Sequence, residues 1–180
     1  RSRDPVVVCS AMGRTTRKLL GAARLYAAGD TRRGGAVIDA VREFHTDMAA
    51  SLFRGGDRTA AVKTVEAYFT RITELLDAVR SIHELPPASQ DSILCFGELL
   101  STSLVSSLLT SRRVPETLLD ARRFIITDDG FTRARPLRDL TRKRVRDALE
   151  KAERGRIPVI QGFIGSTEDG RTTTLGFEGS

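Results

Sequence analysis

Ile157-Pro158-Val159-Ile160-Gln161-Gly162-Phe163-Ile164-Gly165-Ser166-Thr167-Glu168-Asp169-Gly170-Arg171-Thr172-Thr173-Thr174-Leu175-Gly176 is the stretch on which the reading of the fold turns. An apolar run, Ile157 to Ile160, reads as a buried strand that ends near Gly162. Small residues follow it: Gly162, Gly165 and Ser166. A strand that ends in small residues lets backbone N–H groups come close to a ligand, which suits phosphates and carboxylates. Glu168-Asp169-Gly170 is a turn signal, so Arg171 to Gly176 reads as a further strand paired across it. A second glycine cluster, Gly176 to Gly179, runs up to Ser180, and the sequence reads as one that continues beyond that residue.

Working outward, Pro5 to Cys9 holds three consecutive valines and reads as a strand buried on both faces. Ser10 to Thr16 is a loop, and a helix from about Thr16 to Ala28 ends at Gly29-Asp30. Val37, Val41, Phe44, Met48 and Leu52 recur at helical spacing. So do Val65, Tyr68, Phe69, Ile72, Leu75, Leu76, Val79 and Ile82, and Arg54 to Asp57 is a tight connection between the two helices. Leu85-Pro86-Pro87 interrupts this pattern. A helix from about Ser89 to Ser111 is apolar nearly all round and must lie deep in the fold. Thr117 to Leu119 and Phe124 to Ile126 are short strand candidates, and Leu137 to Glu153 is an amphipathic helix. Strands alternating with helices imply an α/β fold with a largely parallel sheet.

The 180 residues suffice for one domain with a substantial core, and 40% hydrophobic with 29% charged residues is ordinary globular composition. No uninterrupted apolar run approaches the roughly 20 residues of a membrane helix, and no leader opens the chain, so an intracellular, cytoplasmic protein is expected. Cys9 and Cys95 sit apart in apolar segments and read as reduced buried thiols. The net charge is +6, and its densest run, Arg138 to Arg146, is interrupted by Asp139 and followed by Asp147 and Glu150. With no aromatic residues interleaved for base stacking, this is a solvated helix face, and no nucleic-acid partner is expected. His45 and His83 lack ligand spacing to other donors and read as packing or surface residues, so no metal site is expected.

Glu98 is the residue with most to say about chemistry. It lies in Phe96-Gly97-Glu98-Leu99-Leu100-Ser101-Thr102, inside the apolar helix, where an ionised carboxylate is costly unless paired. It needs a cation, either an internal arginine or the ammonium group of a ligand. Gly97 beside it gives up about 1 kcal/mol of helix propensity relative to alanine, which makes sense where something must approach the helix closely. Ser10-Ala11-Met12-Gly13-Arg14-Thr15-Thr16 opens a helix after the first strand. Free N–H groups and the helix dipole attract anions there, though an ordinary turn with Thr15 or Thr16 as N-cap explains it as well.

In order along the chain, Val6-Val7-Val8-Cys9-Ser10-Ala11-Met12-Gly13, Gly97-Glu98-Leu99-Leu100-Ser101, Gln161-Gly162-Phe163-Ile164-Gly165-Ser166 and Arg171-Thr172-Thr173-Thr174-Leu175-Gly176 resemble the aspartokinase family of the amino-acid kinase fold. The segment Asp120 to Pro136 does so too. The resemblance implies a three-layer α/β sandwich, here incomplete: residues 1–180 as the substrate-binding lobe of an amino-acid kinase domain, with residues 31–82 as a helical hairpin insertion. It implies transfer of the ATP γ-phosphate to the β-carboxylate of L-aspartate, giving 4-phospho-L-aspartate, the first step toward lysine, threonine and methionine. By the same resemblance Ser10, Thr16, Glu98, Phe163 and Ser180 fall at substrate-binding positions. ATP and Mg²⁺ are the implied cofactors of the full-length enzyme, and a homodimer its implied assembly.

Departures from the family pattern accompany the resemblance. The family's opening lysine strand, whose lysine stabilises the transferred phosphate, has no counterpart in the sequence, and its nucleotide segment would follow Ser180. The 180-residue chain by itself is therefore expected to be inactive. Phe177 and Glu178 stand where many members have an arginine for the substrate α-carboxylate, so another cation must serve. Arg14 and Arg171 are the candidates for carboxylate or phosphate contact, together with the backbone at Gly176 and Gly179. Arg14 and Arg17 also replace residues that are usually small or polar. The alternatives are a glutamate-type kinase of the same superfamily and a non-catalytic regulatory domain.

Overall fold

A computed structural model describes residues 5–152 and 155–176. Three parallel strands, β1 (Val7–Cys9), β2 (Glu116–Leu119) and β3 (Ile157–Gln161), form a sheet in the order β1-β3-β2. Val8 pairs with Ile160 and Leu119 with the same Ile160, so β3 is the central strand. Two further strands, β4 (Ile164–Ser166) and β5 (Thr172–Thr174), form an antiparallel hairpin across the Gly170 turn. Among the described residues six α-helices accompany the strands: α1 (Thr15–Ala27), α2 (Thr31–Leu52), α3 (Gly55–Ile82), α4 (Pro87–Leu94), α5 (Phe96–Ser111) and α6 (Arg138–Lys151). This is the expected α/β architecture, a parallel sheet flanked by helices. α5 packs on the sheet, and α1 to α4 pack around α5.

α2 and α3 are joined by Phe53 and Arg54 and pack against each other. The deepest stripe of α2 is Gly34, Ile38, Val41, His45 and Ala49. It is rotated from the stripe of large apolar residues seen in the sequence, and Leu52 is left at the surface. The rotation follows from close packing: a Cβ on Gly34 would lie 2.6 Å from the Tyr26 ring of α1. A helix that packs closely needs small residues at the contact, so the largest side chains flank it instead.

The long apolar helix is present as α4 and α5, with a one-residue interruption at Cys95, whose backbone stays in the right-handed helical region (φ −57°, ψ −24°). The ladder continues through it, with Cys95 N bonded to Asp91 O and Leu99 N to Cys95 O, each at 3.1 Å, while Ser92 Oγ and Cys95 Sγ bond back to Ala88 O at 2.9 Å and Ser92 O at 3.3 Å. Pro87–Ser111 as a whole is long and apolar enough to cross a membrane, but its apolar surface is spent on the protein core, where Ile93, Leu94, Leu100 and Leu104 are fully enclosed. Other elements depart from the sequence reading. Phe124 to Ile126 is not a strand. The Thr141 hydroxyl accepts from Ile126 N and donates to Ile126 O, which leaves only an isolated bridge from Ile126 to Ser166. β1 is not buried on both faces: it is an edge strand of the three-stranded sheet, and Val8 is 60% exposed.

Gly165 shows why β4 is rich in small residues. A Cβ there would lie 2.6 Å from Ile125 O, so the hairpin sits directly on the backbone of the segment before it. Asp91 of α4 clasps the same hairpin. Its carboxylate accepts from Thr132 N at 2.8 Å, Thr174 N at 2.9 Å and Thr174 Oγ1 at 2.7 Å.

Candidate functional site

The carboxyl ends of β1 and β3 lie side by side, where open parallel sheets commonly bind ligands. Gly162 N donates to Cys9 O at 2.9 Å, which ties the turn after β3 to the end of β1. Ser101 Oγ of α5 donates to Ser10 O at 2.8 Å, which ties the helix to the same loop. Behind it, Gln161 Nε2 donates to Thr102 Oγ1 at 2.9 Å while its Oε1 accepts from Ala121 N at 2.8 Å. These bonds fix three segments around a cleft of about 250 Å³, lined by Ser10, Ala11, Arg14, Thr16, Arg17, Glu98 and Phe163.

Glu98 is 3% exposed. One carboxylate oxygen, Oε1, accepts from Ala11 N at 3.2 Å. The other, Oε2, is buried and has no hydrogen-bond partner. No arginine or lysine among the described residues lies within ion-pair distance of it. Burial therefore pushes its pKa up to about 7, and the Ala11 N–H offsets the rise only in part. The carboxyl is poised to ionise when a cation arrives.

Gly97 is explained by α1. A Cβ on it would lie 2.7 Å from Thr16 Oγ1 and 2.9 Å from Ala11 Cβ, so the close approach it permits is that of the loop and helix beside it. The loop is held from the other side by α2. His45 is fully enclosed, with Nδ1 2.8 Å from Val41 O and Nε2 3.5 Å from Thr15 Oγ1. Thr15 Oγ1 donates in turn to Met12 O at 2.7 Å, which closes the turn. Phe44 stacks edge-on against His45 and occupies the space a Gly13 side chain would need, 2.7 Å from that Cβ. Phe163, at the other wall, has a left-handed backbone with φ 60°, rare for a bulky residue. Leu175 N bonds its carbonyl at 2.9 Å and holds it there.

Residues 1–180 match the model of the Amino acid kinase family over their whole length. The chain belongs to this family. Within it, the chain is similar to the aspartokinase of Chlamydia trachomatis, 32% identical over 145 residues, covering 81% of the chain and 31% of the relative. It is 37% identical over 117 residues to lysine-sensitive aspartokinase 3 of Escherichia coli, covering 64% of the chain and 25% of the relative. The crystal structure of E. coli aspartokinase III in complex with lysine and aspartate superposes with a TM-score of 0.86 at 30% identity, covering 97% of the chain and 38% of that structure. The chain thus spans between a quarter and two fifths of the length of these proteins.

In this amino acid kinase chain the structure brings Ser10, Thr16, Glu98, Phe163 and Arg14 to one cleft. It does not bring Arg171 there. That guanidinium is 2.9 Å from Asp169 and 5.0 Å from the Phe131 ring centroid, on the β4–β5 hairpin. Gly176, with φ 84°, lies against Thr132 and Arg133 and is not part of the cleft lining. Phe177, Glu178, Gly179 and Ser180 lie outside the described residues. Ala11 and Arg17 join the lining without having been singled out as ligand contacts. The Ala11 contribution is a backbone N–H, which no residue type announces. Arg17 lies in the first turn of α1, three residues after Arg14, the left-handed residue that caps that helix.

Proposed function

We propose that this chain is the aspartate-binding lobe of an aspartokinase. In that reading the parent enzyme transfers the ATP γ-phosphate to the β-carboxylate of L-aspartate. The observation that carries it is the unpartnered Oε2 of Glu98, buried at a cleft open to a small molecule. A substrate ammonium group would supply the missing cation and draw the carboxyl into its ionised form. The likeness to aspartokinase III, whose structure holds aspartate, supports the substrate.

The chemistry asks little else of these residues. A carboxylate acceptor is already ionised at neutral pH, so no general base is needed, and phosphoryl transfer depends on positioning and charge stabilisation. The chain's contribution is to hold the amino acid by its ammonium end with the Ser10 to Arg14 loop and Phe163 around it. ATP and Mg²⁺ are the cofactors proposed for the parent. The described residues contain no group of three or more His, Cys, Asp or Glu side chains fit for a metal ion, and their proposed roles are confined to binding and orienting the amino acid.

Isothermal titration tests the reading. L-Aspartate should bind the chain saturably, and Glu98→Gln should weaken it at least tenfold while far-UV circular dichroism stays unchanged. Equal affinity for the variant, or tighter binding of L-glutamate than of L-aspartate, would overturn it. Aspartate-dependent ADP release is expected from the parent enzyme and not from the 180-residue chain alone.

A further inference from the structure

The geometry points to a carboxylate clamp formed by Arg14 and Arg17, which share the cleft with Glu98 and select amino acids that carry a free α-carboxylate. This rests on the aspartate reading and deepens it, by naming the residues of this chain that take the substrate's second charge.

Arg14 is the N-cap of α1, with a left-handed backbone at φ 58°, and Arg17 is the third helical residue. The turn that presents them is stiff. Gly13 is itself left-handed at φ 62° with the Phe44 ring against it, and Thr15 bonds Met12 O through both its backbone N–H and its hydroxyl. Two cations at the positive end of a helix dipole are unfavourably placed, and the first turn carries no acidic residue to compensate. Neither guanidinium has an ion-pair or hydrogen-bond partner among the described residues. The N–H groups of Thr16 and Arg17 have no acceptor among those residues either. Helix-terminal N–H groups and the planar guanidinium fork are both suited to carboxylate oxygens.

A helix end with basic side chains would not by itself define a site. The independent observation is Glu98, which lines the same 250 Å³ cleft and whose buried Oε2 has no hydrogen-bond partner. An acid and two guanidinium groups, none with an ion-pair partner among the described residues, therefore line one small cavity. An anion alone would satisfy only the arginines, and an amine alone only Glu98. A zwitterionic amino acid satisfies both. Arg171, the other cation considered from the sequence, is already committed to Asp169 and Phe131.

The test compares three ligands by isothermal titration against the chain and its Arg14→Gln, Arg17→Gln and Glu98→Gln variants. The ligands are L-aspartate, β-alanine (aspartate without the α-carboxylate) and succinate (aspartate without the ammonium). The expected result is that L-aspartate binds at least tenfold more tightly than β-alanine, and that Arg17→Gln or Arg14→Gln closes most of that gap by weakening aspartate alone. Glu98→Gln should weaken aspartate and β-alanine together and leave succinate unchanged. If aspartate binds but its ratio to β-alanine is the same in the arginine variants, singly and combined, the clamp is overturned and the aspartate reading stands. If the wild-type chain binds no aspartate, both are overturned.

Discussion

Asp91 on α4 and Glu98 on α5 are both carboxylates that the fold removes from water, at 0% and 3% exposure. Around Asp91 every oxygen is used. Two backbone N–H groups and one hydroxyl point at it, from Thr132 and Thr174. Around Glu98 one oxygen has a single bond, to Ala11 N, and the other has none. Burial raises the pKa of both groups, but at Asp91 three hydrogen bonds oppose the rise. A buried acid that the protein satisfies holds the fold together, and one left unsatisfied beside a cleft is fitted to a ligand.

The largest effect expected from breaking this contrast lies at Asp91. Asp91→Ala would strand three donors and release Thr132, a β-branched residue held at φ 72°. It should cost at least about 3 kcal/mol of stability in urea unfolding, since hydrogen bonds to a charged group contribute about 1.5–3 kcal/mol each. Asp91→Asn should recover most of the loss. The amide oxygen can accept from Thr132 N and Thr174 N, and its NH₂ can donate to the Thr174 hydroxyl with that proton turned away. An equal loss in both variants would show that charge, not hydrogen bonding, carries the clasp.

The middle effect is the pH dependence at Glu98, and it sharpens the same contrast. A carboxyl with a folded pKa of about 7 and an ordinary value of 4.5 favours the folded state when protonated. The contribution is complete below about pH 4.5 and is lost as pH rises through about 7, worth roughly 3 kcal/mol at most for a shift of this size. Asp91, also raised, works in the same direction, while His45, lowered by burial, gives stability that is lost as pH falls. The difference between the wild-type and Glu98→Gln stability curves isolates Glu98. That difference should favour the wild type increasingly from pH 8 down to pH 5. A flat difference would mean that the carboxyl is already paired in the free protein.

The same two acids show how far the sequence could be read. Glu98 stood out because a charged residue in an apolar helix breaks a pattern, and the structure finds it buried. Asp91 sits near the start of that helix, among Pro87, Ser89, Gln90 and Ser92, where an acid breaks no pattern. Its partners are two backbone N–H groups and the Thr174 hydroxyl, from the Thr132 loop and β5 far along the chain, a pairing that the local sequence around Asp91 does not encode. The alternation of strands and helices was legible for the same reason as Glu98: periodicity of apolar side chains is written locally. The rotation of α2 was not, because Gly34 and His45 are central to its buried face and neither counts as apolar. The apolar pattern runs unbroken through α4 and α5, and so does the helix ladder across Cys95.

The smallest effect separates the hairpin's arginine from those of the cleft. Arg171 is half exposed, its partner Asp169 more so, and their contact lies at the tip of β4–β5. Exposed ion pairs of this kind are screened by salt and contribute little. Arg171→Gln should therefore leave the urea midpoint unchanged within error. It should also leave aspartate affinity unchanged, because the hairpin's link to the rest of the fold runs through Asp91, Thr173 and the Ile125 carbonyl and not through this side chain. A loss of aspartate binding in Arg171→Gln equal to that in Arg17→Gln would place the hairpin tip within reach of the ligand. The cleft would then be closed by a movement of β4–β5, and the division between a clasp region around Asp91 and a ligand region around Glu98 would have to be redrawn.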